Sequence, residues 1–419
     1  MRKFIRVLVS IVCALTMAGA AEAGWRFATP MPEGRFGHAA TLGLDGRIYV
    51  MGGATTKHTN DGSFSNLVYD PKADIWAYLE AVPGYILTWD IAVWDPGIKR
   101  WRVEPKKKGV EITGVTRNTN VRREGDGVAI LTLKDGRILW LGGAGMYLGK
   151  GENIALPYDP VAEKWPEAFA QRVDYVASYS YKTLFRSGIP NMLDRRIDHE
   201  AVITEDGKIY VFGGRQRGGG VDARGNVTGD KLFVLDTVEC YDPQIGRWEY
   251  RCPMPNKRMV FAAVLGPDGL IYAFGGGYTP HFEKGTAALD TVDVYDPKTD
   301  SWSQRKPMPE PRKSHAGVLG ADGKIYIMGG SREHYGTTLR DVLIYDPVKD
   351  SWKKGPPMNI PRAVLAAVST PEGKIYAIGG SDVGAYKVKE ALNSLIPTER
   401  GPFYTGKVQN TVEVLSLSQ

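Results

Sequence analysis

An all-β propeller of six four-stranded blades is the fold class this sequence predicts, and three repeated features predict it. The first is a turn glycine followed six residues on by a Gly-Gly pair, with an apolar run between them. It occurs six times, at Gly46 to Gly52-Gly53, Gly136 to Gly142-Gly143, Gly207 to Gly213-Gly214, Gly269 to Gly275-Gly276, Gly323 to Gly329-Gly330 and Gly373 to Gly379-Gly380. The second is Tyr-Asp-Pro with a Trp seven residues after the Tyr, in five copies: Tyr69/Trp76, Tyr158/Trp165, Tyr241/Trp248, Tyr295/Trp302 and Tyr345/Trp352. The third is an Arg 11 residues before the turn glycine in five copies (Arg35, Arg196, Arg258, Arg312, Arg362) and 13 before it in the sixth (Arg123). A repeat at this period is one supersecondary unit that buries its apolar faces only by stacking on its neighbours.

The elements follow in order. An apolar run such as 38–42 or 262–265 forms the innermost strand, and Asp-Gly makes the hairpin turn, since glycine tolerates the positive φ that tight turns need. The β-branched and aromatic runs 47–51, 208–212 and 324–328 form second strands. They do not alternate with polar residues, so both faces are expected to be buried. The Gly-Gly pair ends that strand where backbones come close, and Tyr-Asp-Pro ends the third strand because Pro cannot donate to a ladder. The Trp opens the fourth strand, where a large ring fills the widening gap between blades.

Carried over essentially the whole mature chain, the Gly-Gly pair, the Tyr of Ile-Tyr and the Trp resemble the kelch repeat. The resemblance implies radial blades around a central channel. The last copy ends at 410–417 as a third strand with no Trp after it, while the N-terminus supplies Trp25 followed by Pro30-Met31-Pro32. That run matches the one from Trp302 to Pro309, so the N-terminal strand is expected to complete the last blade and close the ring. Trp94-Asp95-Pro96 with Trp101 repeats the strand-three to strand-four signature without a Gly-Gly half. It reads as an inserted hairpin or as a degenerate seventh blade, which makes seven blades the alternative.

Residues 1–23 read as a cleavable signal peptide: Arg2, Lys3 and Arg6 precede an apolar stretch too short to span a bilayer, and Ala21-Glu22-Ala23 is a small-residue cleavage site. One propeller domain, 24–419, would remain, periplasmic or secreted, without membrane insertion and monomeric. Cleavage lowers the formal net charge from +6 to +4, too mild a surplus to argue for nucleic acid. Cys240 and Cys252 remain; an exported chain permits a disulfide, but their places on the third strand and beyond the fourth put them out of register.

Hairpin logic puts the arginines, the segments after each Gly-Gly and the blade connections at one end, along with the long segments 77–121, 166–195, 215–235 and 381–409. That end is the expected binding face. Arg35, Arg123, Arg196, Arg258, Arg312 and Arg362 would ring the channel mouth, and guanidinium forks suit carboxylates. The competing structural role is a bridge between blades through backbone carbonyls. In kelch domains that recruit substrates to ubiquitin ligases, arginines at this position engage acidic residues, so the resemblance implies an acidic peptide or protein, or an anionic glycan.

Three residues after each Arg stand His38, Asp126, His199, Phe261, His315 and Leu365; Asp126 beside Arg123 reads as a functional deviation, and the recurring histidines as packing. Further ligand candidates in the connecting segments are Arg215, Arg217, Arg332, Tyr147, Tyr278 and Tyr335, with His58, His281 and His334. No metal-ligand spacing, cofactor motif or nucleophile–base pair is present, which favours a binding module. The alternative is a carbohydrate-active enzyme. The chain is similar to periplasmic sialic acid mutarotases in its signal segment, length and six blades, and to galactose oxidase in using kelch blades. Yet Cys240 and Cys252 fall away from the channel, and Glu333 after Arg332 is the nearest acid–arginine pair. A buried acid at the channel mouth would separate catalysis from plain binding.

Overall fold

The computed structural model describes residues 24–55, 66–79, 90–95, 100–105, 127–142, 155–162, 189–194, 196–221, 227–278, 287–332, 338–382 and 408–417. Every regular element among them is a β-strand, and the strands form a β-propeller. Five of the radial sheets carry four antiparallel strands. The first runs Arg35–Leu42, Ile48–Thr55, Asn66–Asp70 and Ile75–Leu79, from the inside outward. The second has three described strands, Ala129–Thr132, Ile138–Leu141 and Ala155–Tyr158. The third begins with Glu200–Ile203, the fourth with Ala262–Leu265, the fifth with Ala316–Leu319 and the last with Ala366–Ser369. In the last sheet the order continues Lys374–Ile378, Val412–Ser416 and then Arg26–Ala28, which pairs with Arg26 opposite Val414. The innermost strands lie side by side, each touching those of its two neighbours.

The second strands are buried throughout, as their unbroken apolar runs require: Ile209–Phe212, Ile271–Phe274 and Ile325–Met328 show no exposed position. Their side chains fill the spaces between consecutive sheets. Tyr272 and Phe274 of the fourth sheet, for instance, pack with Ile325 and Ile327 of the fifth. The tyrosine of Ile-Tyr buries its ring and keeps its hydroxyl satisfied by donating to the aspartate of its own hairpin turn: Tyr49 to Asp45 (2.8 Å), Tyr272 to Asp268 (2.7 Å) and Tyr326 to Asp322 (3.1 Å).

The outer signature has a second logic that joins blades. The tyrosine of Tyr-Asp-Pro donates to an aspartate five residues on, Tyr295 to Asp300 and Tyr345 to Asp350, both at 2.7 Å, and likewise Tyr69 to Asp74. These aspartates hold positive φ (55° at Asp74, 51° at Asp300, 45° at Asp350), a left-handed turn position where the short polar side chain is tolerated. Each also accepts an amide from the preceding outer strand, from Thr29, Cys252 and Lys306 at 2.9, 2.8 and 3.0 Å. The Trp two residues later donates its indole N–H to the carbonyl of that same residue, Trp76 to Thr29, Trp302 to Cys252 and Trp352 to Lys306. One residue of each of these three outer edges is thus clamped, through its N–H and its C=O, by the next blade. Trp25 takes the corresponding place, donating to the Pro356 carbonyl at 2.9 Å.

Trp94 and Trp101 are paired in the backbone register of a separate two-stranded sheet, Asp90–Asp95 with Arg100–Pro105. Cys240 and Cys252 are free thiols, Cys240 buried and Cys252 half-buried. Among the described residues no helix is long and apolar enough to cross a membrane.

Candidate functional site

The repeated arginines, expected at the ligand face, lie inside the sheets. Arg196, Arg258, Arg312 and Arg362 are 0 % exposed and Arg35 is 2 % exposed. Each donates Nη1 to the carbonyl of the first glycine of its own Gly-Gly pair: to Gly52 (3.2 Å), Gly213 (2.9 Å), Gly275 (3.1 Å), Gly329 (3.3 Å) and Gly379 (2.9 Å). Four of them also hold a carboxylate. Arg196 pairs with Glu239 at 2.5 Å, Arg362 with Glu413 at 2.6 Å, Arg35 with Glu33 at 2.8 Å, and Arg258 with Asp293. Their backbone carbonyls accept from the second glycine of the preceding blade, Gly214 to Arg258, Gly276 to Arg312, Gly330 to Arg362 and Gly380 to Arg35, each at 2.9 Å. The five guanidiniums are spent on blade structure, so the ligand-facing arginine ring is corrected to an internal brace. The reason is that a Cβ-free Gly-Gly lets two backbones meet, and the carbonyl left there needs a buried donor.

Arg312 stands apart. Where the third, fourth and last sheets carry Glu239, Asp293 and Glu413, the fifth has Leu343. Arg312 Nε and Nη2 have no hydrogen-bond partner among the described residues, and burial pushes its pKa down to about 10.

Two residues beyond each arginine place, backbone amides join the innermost strands head to tail. Gly37 donates to Val364, Val364 to Ser314, Ser314 to Val260, Val260 to Asp198, Asp198 to Gly127, and Gly127 back to Gly37, over 2.7–3.1 Å. All six residues have positive φ, between 49° and 67°. This register corrects one reading. Gly127 takes the place of Gly37 and Asp198, nine residues before the turn glycine, so Val128 is the counterpart of His38 and His199, and Asp126 is not. Arg123 and Asp126 themselves lie outside the described residues, as do Tyr335, Glu333, His58, His281, His334, Tyr147, Trp165 and the side chain of Arg217.

His38, His199 and His315 are buried packing residues, as expected. Their pKa values fall to about 3, chiefly through burial and then through the neighbouring Arg35, Arg196 and Arg312. Each is turned toward a carbonyl of the preceding blade, those of Ile378, Leu141 and Phe274.

Of the candidates in the connecting segments, Arg215 is 25 % exposed and donates Nε to Asp198 at the channel mouth. Arg332, 45 % exposed, pairs with Glu310 and lies 3.6 Å from Asp341. Tyr278 is exposed. The two arginines therefore stand at the loop end but already carry carboxylates.

One residue of an innermost strand escaped the sequence reading. Immediately after His199 comes Glu200, and at that place the other innermost strands carry Ala39, Ala129, Ala262, Ala316 and Ala366. Glu200 is half-buried, opposite Phe212 on the neighbouring strand, and no hydrogen bond or ion pair reaches it among the described residues. Burial alone pushes its carboxyl up to about 8. Five alanines against one glutamate is a signal visible in the sequence, four residues after the repeated arginine. Among the described residues no cluster of three or more His, Cys, Asp or Glu side chains could hold a metal.

Comparison with known proteins agrees with the repeat signature. Residues 183–380 match the KLHDC2/KLHL20/DRC7 Kelch-repeats domain, and residues 34–83 match the Kelch motif. The chain is similar to Kelch-like protein 26 of Danio rerio, 27 % identical over 49 % of this chain and 36 % of that protein. It is also similar to Beta-scruin of Limulus polyphemus, 32 % identical over 34 % of this chain and 14 % of that one. Kelch-like protein 35 of Mus musculus is 32 % identical over 34 % of this chain and 20 % of its own length. The chain thus spans about a third or less of the length of these relatives.

Proposed function

Because this chain belongs to the kelch-repeat family, we propose that it is an exported protein-interaction module that takes its partner on the loop-rich end of the propeller. The observation that carries the reading is an asymmetry of chain length between the two ends. At one end the hairpins are as short as backbone allows, with Gly43, Gly266 and Gly320 donating to Arg47, Leu270 and Lys324 at 2.8 Å. At the other, where the Gly-Gly pairs stop the second strands, the chain departs for segments such as 143–154 and 383–407 before the next strand begins. Sequence spent on one end of a rigid scaffold, and saved at the other, is the economy of a recognition surface.

In this proposal the ring has six blades and is closed by Arg26–Ala28. The cyclic run of six amide bonds and the pairing of Arg26 with Val414 support it. Export rests on the basic, apolar and small-residue succession of 1–23. An acidic protein or anionic glycan remains the proposed partner chemistry. With the repeated arginines buried, it rests on Arg332 and Arg215, whose present carboxylates Glu310 and Asp198 an incoming anion would displace. The test is capture of partners from the source periplasm or medium by residues 24–419, against the variant Arg332→Ala/Arg215→Ala. Capture abolished by added acidic peptide and lost in the variant supports the reading. Capture indifferent to both removes the anionic part, and capture of nothing removes the module.

A further inference from the structure

Of the five sheets whose repeated arginine is described, two lack the acid that the third strand supplies elsewhere. Glu239, Asp293 and Glu413 stand opposite Val211, Ala273 and Ala377 of their second strands, whereas the first sheet has Leu67 opposite Val50 and the fifth has Leu343 opposite Ile327. These two blades instead carry a glutamate two residues before the arginine, Glu33 before Arg35 and Glu310 before Arg312. In the first blade that glutamate completes the brace, accepting from Arg35 Nη2 at 2.8 Å. The third blade shows that even a shorter acid reaches in from this place, since Asp194 lies 3.3 Å from Arg196 Nη2. In the fifth blade Glu310 is turned the other way and is held by Arg332.

Asp341 repeats the pattern. Its carbonyl accepts from Gly329, the first glycine of its pair, as those of Thr237, Thr291 and Thr411 accept from Gly213, Gly275 and Gly379. Those threonines also accept, through Oγ1, from Nη2 of Arg196, Arg258 and Arg362. Asp341 lies instead 3.6 Å from Arg332. Exposed Arg332 thus holds two carboxylates from places that serve the buried arginine in other blades. Arg312 donates Nη1 to Gly329, and its Nη2 has no hydrogen-bond acceptor among the described residues. The two arrangements balance closely. A solvent-exposed pair such as Arg332 with Glu310 contributes little, whereas a carboxylate at Arg312 would answer a buried donor at the cost of its own desolvation.

We propose that Glu310 is an exchangeable carboxylate: a carboxylate of an acidic partner takes Arg332, and Glu310 turns inward to Arg312 as Glu33 does to Arg35. The inference deepens the reading of Arg332 as a contact for an acidic protein and rests on it. The fifth blade then gives up its own acid to a buried guanidinium instead of to water. That makes the acid easier to displace and ties partner binding to the internal brace, the partner tipping a nearly balanced pair of states.

Urea unfolding of residues 24–419, followed by tryptophan fluorescence, tests the exchange without any ligand. If Glu310 served only Arg332, Glu310→Gln would change nothing once Arg332→Ala is in place. With the exchange, Glu310 in the Arg332→Ala protein sits on Arg312, so adding Glu310→Gln there should lower the urea midpoint by roughly 0.5 M, more than it does in the parent. No shift in the Arg332→Ala background, or one no larger than in the parent, would overturn the exchange. Calorimetry with a capped tetraglutamate peptide, and tetraglutamine as its control, tests the partner's part. The glutamate peptide should bind the parent and not Arg332→Ala. Glu310→Gln removes a competing charge beside Arg332, yet it should weaken the glutamate peptide by about fivefold, because the bound state loses its acid at Arg312. Unchanged or tighter binding in that variant would overturn the proposal. Equal affinity for the two peptides, or glutamate binding that survives Arg332→Ala, would overturn the anionic reading of Arg332 and the partner's role with it, a failure that the urea result separates from failure of the exchange.

Discussion

Removing Glu239 from the third blade should show what the repeated arginines are for. Arg196 and Glu239 are both 0 % exposed and sit 2.5 Å apart, and the carboxylate also accepts the amides of Leu193 (2.6 Å) and Asp194 (2.9 Å). Glu239→Leu removes the buried counter-charge of Arg196 and leaves it only the partly exposed Asp194 at 3.3 Å, which costs about 3–5 kcal/mol. Two orphaned amides add roughly 1 kcal/mol each, and the leucine's own burial returns about 2 kcal/mol. The expected loss is therefore about 3–5 kcal/mol, read from urea titrations of tryptophan fluorescence at neutral pH with the slope held constant. Adding Arg196→Met removes the stranded charge, so the double variant should be more stable than Glu239→Leu alone, despite the donors lost to Gly213 and Thr237. In the fifth blade the corresponding strand position is Leu343, and Arg312 Nε and Nη2 have no hydrogen-bond partner among the described residues. If Glu239→Leu lay within about 1 kcal/mol of the parent, or the double variant lost the sum of both singles, the internal brace would not be what the arginines provide.

Three further outcomes are expected. His38, His199 and His315 have pKa values lowered to about 3 in the fold against about 6.5 unfolded, so the unfolded chain binds more protons and stability falls as pH drops from about 6.5 toward 3, by up to about 1.4 kcal/mol per unit for each histidine. Replacing all three with phenylalanine, which Phe261 shows the place accepts, should move the acid-unfolding midpoint seen by circular dichroism to lower pH; an unmoved midpoint would exonerate them. For Glu200 the sign reverses: its carboxyl is raised to about 8, so its contribution is full below about 4.5 and is lost as pH rises to 8. Glu200→Gln should then gain on the parent between pH 5 and pH 9 by an amount on the order of a few kcal/mol, and parallel stability–pH curves would refute this. Gly330→Ala, whose Cβ would lie 2.5 Å from the Lys313 carbonyl and 2.8 Å from His315, should lower the melting temperature far more than Gly323→Ala, which has the same sign of φ but nothing within 4 Å; equal shifts would mean that φ alone, and not the approach of the neighbouring blade, demands the Gly-Gly pair.

Most of the architecture was legible because the repeat states it six times. A hairpin glycine needs positive φ wherever it sits, and a Trp with a clamp partner recurs with its clamp, so a one-dimensional reading recovers strands, turns and the order of blades. The N-terminal Trp25 was recognisable as a displaced fourth-strand signature for the same reason; the strand right after it, Arg26–Ala28, pairs in the last sheet, and Trp25 donates to Pro356. Repetition also misled. An arginine at a constant spacing looks alike whether it points at solvent or at a carbonyl 17 residues away, and only the tertiary fold, by bringing Gly213 and Glu239 to Arg196, decided between them.

What the sequence determined by itself is the local chemistry of each blade, because turn conformation, strand burial and side-chain capping depend on neighbours a few residues apart. What the tertiary structure decided is which charges are left over. Arg196, Arg258 and Arg362 find acids contributed from 35 to 51 residues downstream, whereas among the described residues no acid hydrogen-bonds Arg312 and no cation pairs with Glu200. Burial sets the cost of each unmatched charge, and burial is a property of the packed sheets together rather than of any segment of the chain.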